Sequence, residues 1–216
     1  MIEEKKILKV LNLYAGIGGN RKLWTDVQVT AVELNPEIAK IYQDFFPEDT
    51  VIVADAHQYL LDHYKEFDFI WSSPPCPSHS RLNTFLVPIG NRNIEYPDMR
   101  LYQEIILLKN WFKGKWVIEN VIPYYDLLIP GTLIDRHIFW SNFTIIPFTL
   151  DDTIVMKASD WRSIQVVYGY DLSEYKFKDK TKILRNCVHP ETGQRILEQA
   201  RGIIREENVT QTKLAI

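Results

Sequence analysis

The residue best suited to covalent chemistry is a cysteine held between prolines directly after a short apolar run. Cys76 follows Pro74 and Pro75, precedes Pro77, and comes just after the run 67–71. Proline fixes φ and cannot donate a backbone hydrogen bond, so the pair should end a strand abruptly, while Pro77 favours an extended Cys76. Open α/β sheets bind ligands at the carboxyl ends of their strands. A lone cysteine is commonly a small buried apolar residue, but the rigid flanks favour a presented thiol.

A thiol needs help to act as a nucleophile, and an acid and an amide follow a later apolar strand. A free thiol has a pKa of about 8.5, so Cys76 would require a neighbouring positive charge, such as Arg81, or a helix end. Glu119 and Asn120 precede Val121 at the end of the strand that begins at residue 115. A glutamate directly after an apolar run is not typical of a solvated surface residue. A helix cap is a plausible alternative for Asn120 and a poor one for Glu119.

A glycine-rich turn closes the first predicted strand. Gly16, Gly18 and Gly19 allow a tight turn and could bring backbone N–H groups against a ligand at a helix start. Glu33 ends the second strand, where an acid that binds a ribose belongs. The glycines alone are equally typical of a structural turn in any α/β protein. Asp55, after the third strand, could accept a hydrogen bond from an adenine amino group or simply cap a helix.

Two further segments carry candidate substrate contacts. The stretch 78–96 is too long for a plain connector, which indicates a mobile functional loop. Its polar side chains include His79, Arg81 and Arg92, and the arginines are also typical of an ordinary solvated loop. Arg136 begins a later strand, and by itself it is typical of a surface arginine on an edge strand.

Composition limits the class of protein. The chain has 216 residues, a net charge of −3 and two cysteines. This size supports one sizeable core, and the cysteine count supports a reducing compartment. Near-neutral charge means that any nucleic-acid contact must use a local basic surface. We find no signal segment, no apolar stretch of the ~18 residues that a membrane span needs, and no spacing typical of a metal site. We therefore expect a cytoplasmic protein that uses neither membrane nor metal.

The order of the elements predicts an α/β fold with a doubly wound, mostly parallel sheet. The predicted strands are 7–13, 27–32, 51–54, 67–71 and 115–118, with another beginning at residue 136. The predicted helices follow the glycine turn to residue 24 and then cover 36–45, 57–64, 98–112 and 191–205. We expect residues 1–149 and 183–206 to form a catalytic domain. Residues 150–182 read as an irregular, reduced target-recognition region, and 207–216 as a flexible tail.

In this order and spacing the motifs resemble the cytosine-C5 DNA methyltransferase family. The matching segments, with tyrosine in place of the family's phenylalanine in the first, are 14–19, Glu33, Asp55, Pro75-Cys76, Glu119-Asn120-Val121 and 185–190. The resemblance implies a Rossmann-like fold and S-adenosylmethionine as cofactor. It implies that the thiolate attacks carbon-6 of a cytosine flipped out of double-stranded DNA. The small recognition region is similar to that of short phage enzymes and admits a second subunit or a homodimer.

The resemblance also assigns roles to residues. The catalytic set is Cys76, Glu119, Asn120 and Arg136. The cofactor-binding set is Tyr14, Gly16, Gly18, Gly19, Glu33, Leu34, Asp55, Ala56, Pro75 and Asn186. The DNA-binding set is His79, Ser80, Arg81 and Arg92.

Departures from the family pattern leave alternatives open. The family's Gln-x-Arg-x-Arg motif is reduced to Asp135-Arg136-His137, and we favour Arg136 as the substrate contact. A tRNA cytosine methyltransferase would carry the same motifs. An amino-methyltransferase is suggested by Ser73-Pro74-Pro75, but such enzymes carry an aromatic residue at position 76. A non-catalytic paralogue is the fourth reading, which the intact Cys76 and Glu119 disfavour.

Overall fold

The computed structural model describes residues 7–150 and 160–205, in which seven strands form one sheet. The strands are β1 (Leu8–Leu13), β2 (Val27–Glu33), β3 (Thr50–Val53), β4 (Phe69–Ser72), β5 (Lys115–Val121), β6 (Thr132–Ile134) and β7 (His137–Ser141). Their order is β3-β2-β1-β4-β5-β7-β6. The first five strands are parallel, and β7 is antiparallel to both of its neighbours. The predicted doubly wound, mostly parallel sheet is confirmed.

Helices connect the strands and cover both faces of the sheet. They are α1 (Pro36–Phe45), α2 (Ala56–His63), α3 (Asn83–Leu86), α4 (Arg100–Trp111), α5 (Trp161–Tyr168), α6 (Lys180–Arg185) and α7 (Pro190–Ala200). A single 3₁₀ turn covers Tyr64–Glu66. Proline begins both α1 and α7, where its missing N–H costs nothing.

The register of the central strands brings the candidate motifs to one edge of the sheet. Leu13 pairs with Val32 on one side and with Ser72 on the other, and Ser72 pairs with Ile118. The carboxyl ends of β1, β2, β4 and β5 therefore lie side by side. The glycine turn and the proline–cysteine loop follow the ends of β1 and β4, and Glu33 and Glu119 lie in the last residues of β2 and β5.

The core occupies both faces of the sheet, because alternate residues of a strand point to opposite sides. Leu11 and Ile70 pack with α2 and α4 on one face, whereas Val10 and Trp71 pack with α7 on the other. Burial on both faces accounts for the apolar run Phe69–Trp71 in β4 and for the apolar majority of β1.

The helix expected after the glycine turn is absent, and this prediction was wrong. Residues 19–23 form turns instead. Side chains tie this segment to other parts of the molecule: Arg21 donates to both carboxylate oxygens of buried Asp49 and to Trp24 O, and Asn20 pairs with Asn12. These contacts compete with a regular helix. Consequently, the glycine turn does not lead into a helix N-terminus.

The segment 150–182 is more regular than expected. Asp160 caps α5 through a bond from Arg162 N, and Gly169 ends the helix at a φ of 65°. Ile164 and Tyr168 of α5 are buried in the core that also contains α1. The irregular reading was wrong for this part, because a cap and a C-terminal glycine were present but overlooked. Residues 151–159 and the predicted tail 207–216 lie outside the described residues.

The last helix is also shorter than predicted. It ends at Ala200 and not at Arg205, and Gly202 follows at a φ of 78°. Because Gly202 adopts a left-handed conformation, it breaks the helical path two residues after the last turn.

Candidate active site

The Cys76 loop is held in place by backbone and side-chain hydrogen bonds. The carbonyl oxygen of Cys76 accepts from His79 N at 3.0 Å and from Ser80 N at 3.1 Å. Asn120, which is 1% exposed, donates from Nδ2 to the carbonyl oxygen of Pro74 at 3.0 Å. The end of β5 therefore supports the loop that carries the thiol.

Several charges act on the thiol. Burial and the nearby carboxylate of Glu119 raise the pKa of Cys76, and the positive charges of Arg92 and Arg136 lower it in part. The thiol is therefore mainly protonated near neutral pH. Arg81, the cation suggested by the sequence, is exposed. The positive charge at this thiol comes instead from the far end of the 78–96 loop and from the β6–β7 turn.

Glu119 is nearly enclosed and lies beside a histidine. Its residue exposure is 7%, and its Oε1 is 3.6 Å from Nε2 of His137. His137 pairs with Val121 across β5 and β7, so Glu119 and His137 share a face of the sheet. Arg136 lies in the preceding turn, next to Asp135 at a φ of 51°. The structure thus places His137 next to the acid and Arg136 within electrostatic reach of the thiol.

The three glycines of the first turn serve different purposes. A Cβ on Gly18 would lie 2.4 Å from the Phe46 ring, and one on Gly19 would lie 2.4 Å from Val188 O. A Cβ on Gly16, at a φ of 56°, would meet nothing within 4 Å. Gly18 and Gly19 therefore permit close packing, while Gly16 borders open space at the sheet edge.

A carboxylate and an apolar side chain border the same space. Glu33 accepts backbone N–H bonds from Gly16 at 3.0 Å and from Asn35 at 2.9 Å. It thereby fixes the turn after β1 against the end of β2. Leu34 is 67% exposed, so an apolar surface lies next to a carboxylate. This combination suits a nucleoside, which has an apolar base and a polar ribose.

The remaining predicted cofactor residues occupy varied positions. Asp55 caps α2 by accepting from Gln58 N at 3.1 Å, and its Oδ2 lies 3.7 Å from Arg100. The capping alternative for Asp55 is thus observed, but its carboxylate remains partly accessible. Ala56 is 3% exposed inside α2. Pro75 and Asn186 are exposed. Their cofactor roles stay predictions.

Among the predicted DNA-binding residues, one is inaccessible. His79 is 1% exposed, and its Nδ1 lies 2.6 Å from Tyr125 Oη. The predicted direct contact by His79 is not supported, because the ring is packed inside the loop. Ser80 accepts from Leu82 N within the loop, and Arg92 donates to Pro77 O at 3.0 Å. Arg81 is exposed and available.

Sequence reasoning missed a buried acid in α4. Glu104 is 1% exposed and hydrogen-bonds Tyr14, Ser72 and His57. A signal was present, since Glu104 interrupts the buried stripe of Leu101, Ile105 and Leu108. Buried carboxylates are rarely found without partners.

Two classes of feature are not found in residues 7–150 and 160–205. No group of three or more His, Cys, Asp or Glu side chains there could hold a metal ion. No described helix is both long and apolar enough to cross a bilayer.

Comparison with known proteins identifies relatives. A tRNA (cytosine(38)-C(5))-methyltransferase from Spodoptera frugiperda is 32% identical over 212 residues, covering 82% of this chain and 64% of the relative. The methyltransferase EhMeth from Entamoeba histolytica has a similar fold, with a TM-score of 0.51, 11% identity, and coverage of 91% of this chain and 98% of that one.

The matched region contains the site. The family model described as C-5 cytosine-specific DNA methylase matches residues 8–122, which include the glycine turn, Cys76 and Glu119. The chain therefore belongs to the C-5 cytosine-specific DNA methylase family, whose methyl donor is S-adenosylmethionine.

Proposed function

We propose that this protein transfers a methyl group to carbon-5 of cytosine in a nucleic acid, with DNA as the first substrate to test. The observation that carries the proposal is the meeting of Cys76 and Glu119 at one sheet edge, close enough for the carboxylate to raise the pKa of the thiol. Cysteine and glutamate are the nucleophile and the acid that carbon-5 methylation of cytosine requires.

Residues at the ends of β1, β2 and β3 would hold the cofactor. S-adenosylmethionine supplies an electrophilic methyl group. The open space beside Gly16 suits the methionine part of this cofactor. The exposed Leu34 suits its apolar base. Glu33 and Asp55 offer carboxylate oxygens for ribose hydroxyls and an adenine amino group.

The thiol of Cys76 would begin the reaction. Carbon-5 of cytosine is a poor nucleophile, and addition of the thiolate to carbon-6 turns the ring into an enamine that can attack the methyl group. Glu119 would hydrogen-bond N3 and the exocyclic amine and so stabilise charge on the ring. A base then removes the carbon-5 proton, and the carbon–sulfur bond breaks to release Cys76 as a thiolate.

Arg136 and His137 would each take over part of the role of the arginines in the family's Gln-x-Arg-x-Arg motif. We assign Arg136 to stabilising the Cys76 thiolate, on the basis of its effect on the thiol pKa. His137 lies 3.6 Å from Glu119 and would contact the pyrimidine beside it. The sequence favoured Arg136 as the substrate contact, and kinetics of the Arg136→Gln and His137→Ala variants distinguish the two assignments.

The reactive carbon is inaccessible inside a duplex, so the nucleotide must be flipped out at a cost of a few kcal/mol. The loop 78–96 borders Cys76 and exposes Arg81 to solvent. Arg92, near the end of the loop, donates to Pro77 O and to Asn83 Oδ1 near its start. The loop is therefore suited to contact the backbone around a flipped base.

A tRNA substrate is the second candidate. It is favoured by the curated relative, whose printed name is that of a tRNA methyltransferase. The chain spans 64% of the length of that relative. A second subunit or a homodimer would be one way to enlarge the recognition surface, and native mass spectrometry with and without DNA would detect it.

A direct test measures methyl transfer to duplex DNA and to tRNA with labelled S-adenosylmethionine, followed by mass spectrometry of the nucleosides. We expect 5-methylcytosine in DNA. Product only in tRNA would move the substrate to RNA, and N4-methylcytosine or N6-methyladenine would refute carbon-5 chemistry. A 5-fluorocytosine duplex should trap the protein covalently, because fluorine blocks the final elimination. Cys76→Ser should form no such adduct while still binding cofactor, and Cys187→Ala is the matched control.

A further inference from the structure

Glu104 connects three elements that carry the proposed site. It lies in α4, and its side chain has no exposed surface. Its Oε1 accepts from Tyr14 Oη at 2.7 Å and lies 2.9 Å from His57 Nδ1, while its Oε2 accepts from Ser72 Oγ at 2.7 Å. Tyr14 belongs to the turn after β1, His57 to the first turn of α2, and Ser72 to the end of β4.

Each partner of Glu104 stands close to a residue of the site. Tyr14 precedes Gly16 by two positions, and Ser72 ends the strand that leads into the Cys76 loop. His57 lies two residues after Asp55. One carboxylate therefore joins the two cofactor-binding turns to the base of the catalytic loop.

A carboxylate is a costly way to fill a buried position. Taking a charge out of water is unfavourable unless it is hydrogen-bonded, and apolar residues often replace buried ionic groups without loss of stability. The neighbours Leu101, Ile105 and Leu108 fill the rest of this helix face with apolar side chains. Packing alone would thus be satisfied by a further apolar residue at position 104.

The bond to Tyr14 holds a strained backbone. Tyr14 has a φ of 55°, a left-handed conformation that non-glycine residues adopt only when the surroundings compensate. Burial and the carboxylate of Glu104 raise the pKa of Tyr14 far above its ordinary value. The phenol therefore remains a hydrogen-bond donor through the neutral and moderately alkaline pH range.

We propose that Glu104 is a positioning residue, which fixes the cofactor-binding turns relative to the Cys76 loop, with His57 as its titratable partner. This rests on the proposed function. His57 faces Glu104 and Arg100 from α4 and Asp55 at the N-cap of its own helix. It shares Glu104 Oε1 with Tyr14 of the β1 turn. Arg100 is also ion-paired with Asp98 at 2.6 Å.

The pH dependence follows from the partners of His57. The hydrogen bond to Glu104 raises the pKa of His57, and burial opposes that rise. The charged imidazolium is present below this raised pKa and is lost as the pH increases through it. Charge-assisted hydrogen bonds are about twice as strong as neutral ones. Cofactor affinity should therefore decrease as the pH rises from 6 to 8.5.

The first experiment measures binding of S-adenosylhomocysteine to the full chain by calorimetry at pH 6, 7 and 8.5. For the wild type we expect Kd to increase about threefold across this range. Glu104→Gln should bind about tenfold more weakly at pH 6 and show no pH slope. His57→Asn, which keeps a donor but cannot titrate, should also have a flat profile. Gln103→Ala, an exposed position of the same helix, should retain the wild-type slope.

The second experiment distinguishes a positioning role from a folding role. It removes, one at a time, the hydroxyl groups of Tyr14 and Ser72 that bond the two carboxylate oxygens of Glu104. Tyr14→Phe removes the hydroxyl on the cofactor side and should raise KM for S-adenosylmethionine with little change in kcat. Ser72→Ala removes the hydroxyl on the Cys76 side and should lower kcat with little change in KM. It should also change the rate at which iodoacetamide alkylates Cys76 without cofactor. Thermal unfolding of each variant corrects for the folded fraction.

Three outcomes would overturn the inference. In the first, Glu104→Gln binds S-adenosylhomocysteine with the affinity and pH dependence of the wild type. In the second, its loss of affinity is fully explained by the loss of folded protein. In the third, Tyr14→Phe and Ser72→Ala change KM and kcat in the same proportion. A wild type that binds no S-adenosylhomocysteine, or that methylates no cytosine, would instead refute the proposed function. The two failures are therefore distinguishable.

Discussion

Asn120 donates a hydrogen bond from Nδ2 to the carbonyl oxygen of Pro74 at 3.0 Å, with both partners buried. This bond ties the residue after the proposed catalytic acid to the first proline of the cysteine loop. Asn120 also accepts a bond from Val121 N through Oδ1 at 2.9 Å. A single side chain therefore aligns the Glu119 strand with the loop that presents the thiol.

Asn120→Ala should impair catalysis more than cofactor binding. It leaves the buried carbonyl of Pro74 without its donor, which costs about 1–3 kcal/mol, and it frees the loop to shift. We expect a large decrease in kcat with a cofactor Kd close to that of the wild type. Asn110→Ala is the matched control, because Asn110 donates to Ile106 O on the surface. Equal effects of the two substitutions on kcat would contradict the assignment.

Gly16→Ala should remove cofactor binding while leaving the protein folded. The added methyl group meets no protein atom within 4 Å, but it enters the proposed cofactor space. The left-handed backbone costs about 1–2 kcal/mol. Gly90→Ala, at a φ of 74° and also in open space, should carry the same strain without affecting binding. Calorimetry and thermal unfolding of both variants make the comparison, and unchanged binding by Gly16→Ala would place the cofactor elsewhere.

Gly18→Ala should destabilise the folded protein, in contrast to Gly16→Ala, which should remove cofactor binding. Its Cβ would lie 2.4 Å from the Phe46 ring and 2.9 Å from the Tyr42 ring. Overpacking of this kind typically costs about 1–3 kcal/mol, to which the strain of a φ of 85° is added. We expect a clear decrease in Tm. A variant as stable as the wild type would show that α1 can move away from the turn.

The reactivity of Cys76 should increase with pH over the neutral and alkaline range. Burial and Glu119 raise the pKa of this thiol, so the thiolate fraction is small at pH 7 and grows as the pH approaches the raised pKa. Arg92 lowers the pKa, and Arg92→Gln should therefore shift the alkylation profile to higher pH. Arg81→Gln serves as the control at an exposed position. Identical shifts in the two variants would exclude Arg92 as the cation that acts on the thiol.

Arg136 and His137 can be separated with the same assay. Arg136→Gln should raise the pH midpoint of Cys76 alkylation, because Arg136 lowers the pKa of the thiol. His137→Ala should leave that midpoint in place but reduce kcat, because His137 contacts Glu119. His137→Arg should recover much of the activity, because arginine also places N–H donors next to Glu119. If Arg136→Gln alone abolished transfer without shifting the midpoint, Arg136 would be the pyrimidine contact.

Much of the fold could be predicted because local patterns and tertiary structure agreed. The strands β1, β2 and β4 are rich in apolar residues and lead into glycine, acid or proline, and both faces of the sheet are buried. The predictions failed where side chains act at long range. Arg21 pairs with Asp49 and keeps residues 19–23 from forming a helix. No local sequence pattern predicts the pairing of Arg21 with Asp49.

The order of the motifs and the chemistry of the residues could be determined from the sequence alone. Cys76, Glu119 and the glycine turn were recognisable because strand ends, prolines and acids are local features, and parallel strands bring their carboxyl ends to one edge. Which charges surround the thiol was decided only by the tertiary structure. Arg92 comes from the 78–96 loop, Arg136 and His137 come from the β6–β7 turn and the start of β7, and Glu104 comes from α4. Their distances depend on how these elements pack in three dimensions.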